Sequence, residues 1–553
     1  MPTPKHVLTL TLVLGLCLDI TALSQEAPPF PDVNPNGFID SSDLFALASG
    51  WGSETGLSGG DVDGSGSVGP EDLLVLLQQW RTSDLRLIWA KWAAGVDVSG
   101  LGIASSGDGG VLVTGEFSGS ATFGEGNHQL TLESAGGGDI FIAKYDSEGD
   151  LVWVQRAGSP LNDQGTAVDI FPDGSFVVAG FIGDSAAFGS GDREVVLTSG
   201  LHRSMFVAKY DSNGNLAWAR TASGREPSLT VGEAVGITGT GEGGAYVTGR
   251  LIGTLTFGEV GPRGESRPVI LNAGFRNDAF VGKYNADGSL TWIHAISSFG
   301  VPGFRNITGG MGITSLPDGS AVMTGHKNGI SPSPGDFIPG NLLVSKYNSN
   351  GTIAWETRST NLTPASGRTI APLPDGSVAV AGYFVFSATL GEEGNQIPLT
   401  SAGFSDVFVA KYEPNGRLAW ARSVGGPETD IAYDIATSLD GSIFVTGFFR
   451  EIGLPDTSSF AEGDRQVTLT SRGEHDIFVV KYNPDGNLAA ATTAGGPGFD
   501  GGAAIAALLD GSVVVAGAFG ESAIFGEGRD QILLNPEGGS NVFIARYAST
   551  VSW

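Results

Sequence analysis

The chain has 553 residues, with 59 acidic and 30 basic side chains, a formal net charge of −29, 86 glycines and one cysteine. That charge repels nucleic acid and anionic lipid, so neither is a main partner, and glycine without a three-residue period excludes collagen. The length suits several conventional domains or one large repeat domain plus a small one; the acids either occupy surface turns and keep a glycine-rich chain soluble, provide many weak calcium sites, or reflect a salt-adapted host.

Residues 1–24 read as a secretory signal. Lys5 and His6 precede an apolar run from Val7 to Leu18, and Ala22-Leu23-Ser24 offers small residues for cleavage before Gln25. The run is too short for a membrane span, so the mature chain is expected to have no transmembrane segment. Cys17 follows Leu16 rather than the small residue of a lipoprotein signal. Cleavage after Ser24 leaves no thiol, no disulfide and no cysteine-based zinc site. The expected location is secreted or cell-surface.

Residues 30–82 contain two matching segments. In the first, Asp32, Asn34, Asn36, Asp40 and Asp43 stand at loop positions 1, 3, 5, 9 and 12, with Gly37 at 6. In the second, Asp61, Asp63, Ser65 and Asp72 stand at 1, 3, 5 and 12, with Gly66 at 6 and Gly69 at 9. Oxygen donors at these spacings suit Ca2+; the glycine permits the sharp turn, and the backbone carbonyl of position 7, Phe38 or Ser67, adds a ligand. Each loop feeds an apolar stretch, with Leu44, Phe45, Leu47, Ala48 and Trp51 matching Leu73, Leu74, Leu76, Leu77 and Trp80. Such spacing gives two helices a shared face.

Aspartate at position 12, where an EF-hand has glutamate, and one helix per loop resemble a type I dockerin. The resemblance implies a calcium-stabilised module and a cohesin-like partner on a scaffold or cell surface. Positions 10 and 11, on which recognition in that family leans, are Ser41-Ser42 and Pro70-Glu71, so the near-symmetric surface is missing on one side. A module that only stiffens or terminates the chain is the alternative.

From Leu87 to the C-terminus one phrase returns seven times. Its first half runs Gly109–Gly115, Gly174–Gly180, Gly243–Gly249, Gly319–Gly325, Gly376–Gly382, Gly441–Gly447 and Gly511–Gly517. Its second half ends at Tyr145, Tyr210, Tyr284, Tyr347, Tyr412, Tyr482 and Tyr547. A period of this kind sets the architecture before any local reading. Each unit holds short runs rich in Val, Phe and Tyr between Gly, Asp, Asn and Pro, which predicts four or five antiparallel strands and hairpins at Pro172-Asp173-Gly174 and Asp211-Ser212-Asn213-Gly214. Seven such units with no helical period point to radial packing, a mainly β, seven-bladed β-propeller over 87–553 preceded by the small α-helical dockerin-like domain. The glycines that begin and end each first half are expected where blades converge.

Tyr145, Tyr210, Tyr284, Tyr347 and Tyr412 are each followed by a tryptophan, Trp153, Trp218, Trp292, Trp355 and Trp420; unit 6 has Ala490 instead. Unit 7 leaves little chain for a last strand, while Leu87–Trp92 matches Leu216–Trp218. The N-terminal strand is therefore expected to complete the seventh sheet and remove its free edge. Unit 4 departs from the others, with Asn328–Gly335 reading either as a loop or as a drifted outer strand, and with Leu343 in place of phenylalanine. The stretch Asp406–Trp420 followed by Gly425, Asp430 and Ile435 resembles the bacterial SBBP repeats of extracellular proteins. That resemblance implies a seven-bladed propeller with a binding role and transfers no catalytic set.

His6, His128, His202, His294, His326 and His475 form no zinc-hydrolase spacing. Asp108, Asp173, Asp318, Asp375, Asp440 and Asp510 recur in Asp-Gly turns, and Asp139, Asp278, Asp406 and Asp476 recur before the third strand, which points to structure rather than a unique reaction centre. The functional expectation is a secreted or cell-surface, non-enzymatic binding or assembly protein with a polysaccharide or protein ligand. The alternatives are a dockerin-borne polysaccharide hydrolase or lyase, which requires a unique cluster of carboxylates, His or Tyr in the central funnel, and a structural matrix component.

Overall fold

The computed structural model describes residues 85–549, apart from 184, 200–202, 225–229, 259–267, 298–304, 332–339, 360–363, 451–456, 463–464, 528–529 and 536–539. The signal reading at 1–24 and the dockerin-like reading at 30–82 lie outside the described residues. Within them the chain is mainly β, and its helices are single 3-10 turns, Gly126–His128 and Gly191–Arg193.

Units 1 to 6 each supply four antiparallel strands to a sheet in chain order, and unit 7 supplies three. In unit 2 these are Gln164–Ile170, Phe176–Ile182, Ser204–Tyr210 and Leu216–Thr221, hydrogen-bonded first to second to third to fourth. Units 3 to 6 repeat the pattern, their first strands being Val231–Gly239, Arg305–Ser315, Ala365–Pro372 and Asp430–Thr437. Units 1 and 7 share one strand, Leu85–Ser105. Its later half pairs with Val111–Phe123, and its earlier half pairs with Asn541–Ser549 in register Leu85↔Ser549 to Ala93↔Val542. First strands touch in succession from unit 1 to unit 7, and Asp500–Ala507 of unit 7 touches Leu85–Ser105 again.

The turns follow from the repeat. In unit 2, Gly174 has φ 80°, which glycine adopts without steric cost, and Asp173 Oδ1 accepts from the Ser175 N–H at 2.9 Å. The same Asp–backbone bond recurs at Asp318, Asp375, Asp440 and Asp510. Three of these acids also meet a basic residue of their own third strand, as Lys346–Asp318 at 2.9 Å, Lys411–Asp375 at 2.8 Å and Arg546–Asp510 at 2.5 Å. Being half-exposed, such pairs add only about 0.2–1 kcal/mol each.

The glycine that ends each first half has a different cause. The first strand of every unit carries a bulge, in unit 2 between Gly165 and Ala167, and a Cβ on Gly180 would overlap the carbonyl oxygen of Gln164. Its six equivalents meet the matching carbonyl in the same way. The expectation that both glycines lie where units converge is therefore corrected: one shapes a turn, and the other accommodates a bulge inside its own sheet.

Convergence is managed one residue further in, by complementary volumes. Thr114, Thr248, Thr324 and Thr446 each face a glycine of the next first strand, Gly165, Gly310, Gly367 and Gly502, whose Cβ would overlap the threonine Oγ1. Where the residue is Ala179 or Ala381, the next unit has Ala234 or Ala432, packed in the same cluster. Interiors at crystal-like density register a change of one methyl group, so Thr with Gly and Ala with Ala are alternative fillings of one space.

The tryptophans also act between units. Trp218 Nε1 donates to Ala286 O at 2.9 Å, Trp292 to Ser349 O at 3.0 Å and Trp355 to Pro414 O at 2.9 Å. The indoles of Trp153, Trp218, Trp292, Trp355 and Trp420 lie against Gly214, Gly288, Gly351, Gly416 and Gly486, which turn the next unit's third strand into its fourth. Trp89 does the same for unit 1, bonding Ser147 O at 3.2 Å over Gly149. This explains Ala490. Unit 7 has no turn of that type, because its third strand ends at Ser549 and its fourth is Leu85–Ala93, so unit 6 has nothing to cover. Beneath these turns the seven repeat tyrosines are buried; a side chain of that size removes about 150–250 Å² from water, worth roughly 4–6 kcal/mol.

Between second and third strands the chain makes an extra hairpin. It is continuous with both strands in units 1, 3 and 5, and a separate two-stranded sheet in units 2, 6 and 7. Its phenylalanine packs on the third-strand phenylalanine, as Phe123 on Phe141 at 4.9 Å and Phe188 on Phe206 at 4.8 Å. In unit 4 the loop reading of Asn328–Gly335 is corrected as far as Ser331: Ala321–Ser331 continues as strand, paired up to Arg305↔Ser331, with Asn328 at φ 63°.

Candidate functional site

The eleven residues assigned to calcium, Asp32, Asn34, Asn36, Phe38, Asp40, Asp43, Asp61, Asp63, Ser65, Ser67 and Asp72, lie outside the described residues. Among the described residues no three His, Cys, Asp or Glu side chains gather as a metal site.

Both hairpin turns of each unit lie at one end of its sheet, the turn end. The connections between units lie at the other, the connection end, where the repeat breaks. The position directly after the second glycine is Glu116, Phe181, Arg250, His326, Tyr383, Phe448 and Ala518 in units 1 to 7. The bulged position of the first strand is Leu101, Thr166, Val235, Met311, Arg368, Tyr433 and Ala503, each half-buried. Backbone geometry therefore repeats at these places while side-chain chemistry changes at every step.

The changing side chains touch one another across units. Glu233 is 5% exposed; its carboxylate accepts from Arg203 Nη1 at 3.1 Å and from Arg250 Nε at 2.5 Å. Arg203 also lies over the Phe181 ring at 4.4 Å. Burial raises the Glu116 carboxyl, against a hydrogen bond from Gln164 and the charge of Arg203. His326 is buried, with Nδ1 at 3.1 Å from Ser366 Oγ. Burial pushes it down to about 3, with the positive charges of Arg368 and Arg250 acting in the same direction, so it is neutral near pH 7.

The Arg368 guanidinium lies 5.6 Å from the Tyr383 ring and 5.2 Å from that of Tyr433. Aromatic contacts continue from Tyr433 to Phe448 at 5.6 Å, then to His475 at 4.9 Å and to the exposed Phe499 at 6.0 Å. In unit 7 the equivalent residues are Ala503 and Ala518.

This arrangement is suited to holding a ligand by charge and by flat ring faces. The Ser366 residue in contact with His326 is only 2% exposed. Of the other described histidines, His294 stacks on Trp292 at 5.2 Å and His128 ends an exposed 3-10 turn. A second concavity, about 570 Å³, lies at units 3 and 4 and is lined by His294, Lys327, Tyr347, Glu356 and Arg358 among others; Glu356 and Arg358 pair with each other there. Neither cluster was named from the sequence. The signal was present as a variable column directly after an invariant glycine.

No family model matches the chain. It is 24% identical over 521 residues to an uncharacterised WD repeat-containing protein of Acanthamoeba polyphaga mimivirus, covering 80% of this chain and 37% of that one. It is 29% identical over 187 residues to the regulatory protein FlaEY of Caulobacter vibrioides, covering 33% of this chain and 18% of that one. The chain thus spans well under half the length of either relative. A solved member of the DUF4221 family from Bacteroides vulgatus aligns over 66% of this chain and 91% of its own at TM-score 0.27 and 8% identity. These findings describe a repeat-rich, mainly β protein with weak likeness to WD-repeat proteins.

Proposed function

We propose that the seven sheets are the blades of a closed seven-bladed β-propeller, and that the protein is a secreted or cell-surface, non-enzymatic binding or assembly protein. The observation that carries this reading is the contrast between repeated backbone and changing side chains at the connection end, where Glu116, Arg250, His326 and Tyr383 stand in equivalent places. Rigid scaffolds commonly carry specificity at such variable positions. The regulatory name of the Caulobacter relative is in keeping with a binding role. In the same reading, residues 30–82 bind Ca2+ through the eleven assigned residues and dock onto a cohesin-like or other surface partner.

Two measurements test it. Calcium titration of the full chain by calorimetry is expected to show two sites, both lost in the Asp43→Ala/Asp72→Ala variant; no calcium uptake refutes the module. Incubation with polysaccharides is expected to yield no new reducing ends. Their appearance, and their loss in Glu116→Gln or Glu233→Gln, would instead establish the carbohydrate-active alternative, for which the two carboxyls at one end are the favouring observation.

A further inference from the structure

Resting on that reading, we infer that the connection end binds an oligosaccharide bearing an isolated carboxylate, with Arg368 taking the carboxylate and the Tyr433 and Phe499 rings, backed by buried Phe448, taking a sugar ring. Among the described residues Arg368 has no carboxylate partner, although acids outnumber bases in the chain by 59 to 30. The neighbouring cations are already committed, Arg203 and Arg250 to Glu233. Its Nε is buried without a hydrogen-bond acceptor, and two phenol rings hold the guanidinium in place. A fixed guanidinium matches a carboxylate through two parallel hydrogen bonds. Neutral His326 beside it supplies neither a competing anion nor a second cation.

The adjoining surface selects the rest of the ligand. Phe499 is 50% exposed, with the His475 ring 4.5 Å away and Phe448 beneath both. Flat, partly wet aromatic faces suit the C–H face of a pyranose ring, with its hydroxyls left in water. An acidic peptide would satisfy Arg368 equally and is an outcome of the test below; the half-buried ring of Tyr433 and the half-exposed ring of Phe499 beside the guanidinium favour the sugar. The net charge of −29 disfavours a dense polyanion, so the carboxylate is sparse along an otherwise neutral chain.

Calorimetric titration of the full chain with a xylo-oligosaccharide carrying one glucuronate, its neutral counterpart, hexagalacturonate and an aspartate-containing aromatic peptide tests this. The mono-uronate is expected to bind about tenfold more tightly than the neutral sugar, as one charge-assisted pair would provide, and the difference should shrink in 1 M salt. Arg368→Gln should abolish the difference, Phe499→Ala should weaken both sugars, and Val152→Ser, on an exposed outer strand, should change neither. Equal binding of both sugars, discrimination that survives Arg368→Gln, or no binding of either sugar overturns the inference. If Arg368→Gln fails to fold, undiminished sugar binding by Phe499→Ala overturns it alone. Tight binding of the peptide without the sugars would refute the sugar while leaving a binding protein; release of reducing ends from the mono-uronate would refute the non-enzymatic reading itself.

Discussion

The turn end and the connection end are built from the same strands and follow opposite rules. At the turn end each unit repeats its neighbour: Asp binds the turn, Gly takes the left-handed conformation, and Trp covers the next unit's glycine. At the connection end the backbone still repeats, bulge by bulge, yet Glu116, Phe181, Arg250, His326 and Tyr383 range from acid through base to apolar ring. Residues that serve the fold recur in nearly every unit because the geometry is the same, with Glu242 for Asp in unit 3 and Ala490 for Trp in unit 6 as departures; residues free of that duty have diverged. Substitutions at the two ends should accordingly separate stability from binding.

The largest effect is expected from Gly180→Ala, which drives a methyl into the Gln164 carbonyl. Backbone cannot rotate aside as a side chain does, so a loss beyond about 3 kcal/mol, read by urea melting, is expected. Next, Gly165→Ala should cost about 1–3 kcal/mol through overlap with Thr114 Oγ1. Thr114→Ala in the same chain should recover most of it by recreating the Ala179–Ala234 type of junction; a double variant no better than Gly165→Ala would refute the volume argument.

A third effect depends on pH. Burial raises Asp163 and Asp406 to about 6 and Asp500 to about 7, the last also through the charge of Asp476. An acid whose pKa is higher folded than unfolded stabilises the fold while protonated. That stabilisation is complete below about pH 4 and is lost as pH rises through 6 to 7. The melting temperature should therefore fall between pH 5 and pH 8. Asp476 Oδ1 is buried without a partner beside Asp500, so Asp476→Asn supplies a donor, should raise the melting temperature at pH 8 by about 2–4 °C and flatten the fall. The smallest effect belongs to the connection end: Arg368→Gln and Phe499→Ala should move stability by less than about 1 kcal/mol.

Much of the fold was legible because repetition amplified weak local signals. A single short apolar run between two glycines is ambiguous; seven of them, each before a Lys-Tyr or Arg-Tyr, defined strand, turn and period, and the match of Leu87–Trp92 to Leu216–Trp218 located the shared strand. The glycines were partly misread because a bulge leaves no mark in composition. The connection-end cluster was missed for a different reason. Arg203, Glu233, Arg250, His326, Arg368 and Tyr433 come from units 2 to 6, and their proximity exists only after the sheets are assembled. His326 was weighed alone, without Ser366 or Arg368 beside it.

The strand shared by units 1 and 7 makes timing part of the design. Arg86 bonds Asp530 at 2.9 Å across 444 positions of sequence. At ribosomal speeds of about 5–20 residues per second, Leu85–Ala93 emerges roughly 20–90 s before the segment it must zip onto. For that interval its backbone donors and acceptors have no native mate, so the nascent polypeptide needs a holding chaperone or a deliberately slow collapse to reach its last step unaggregated.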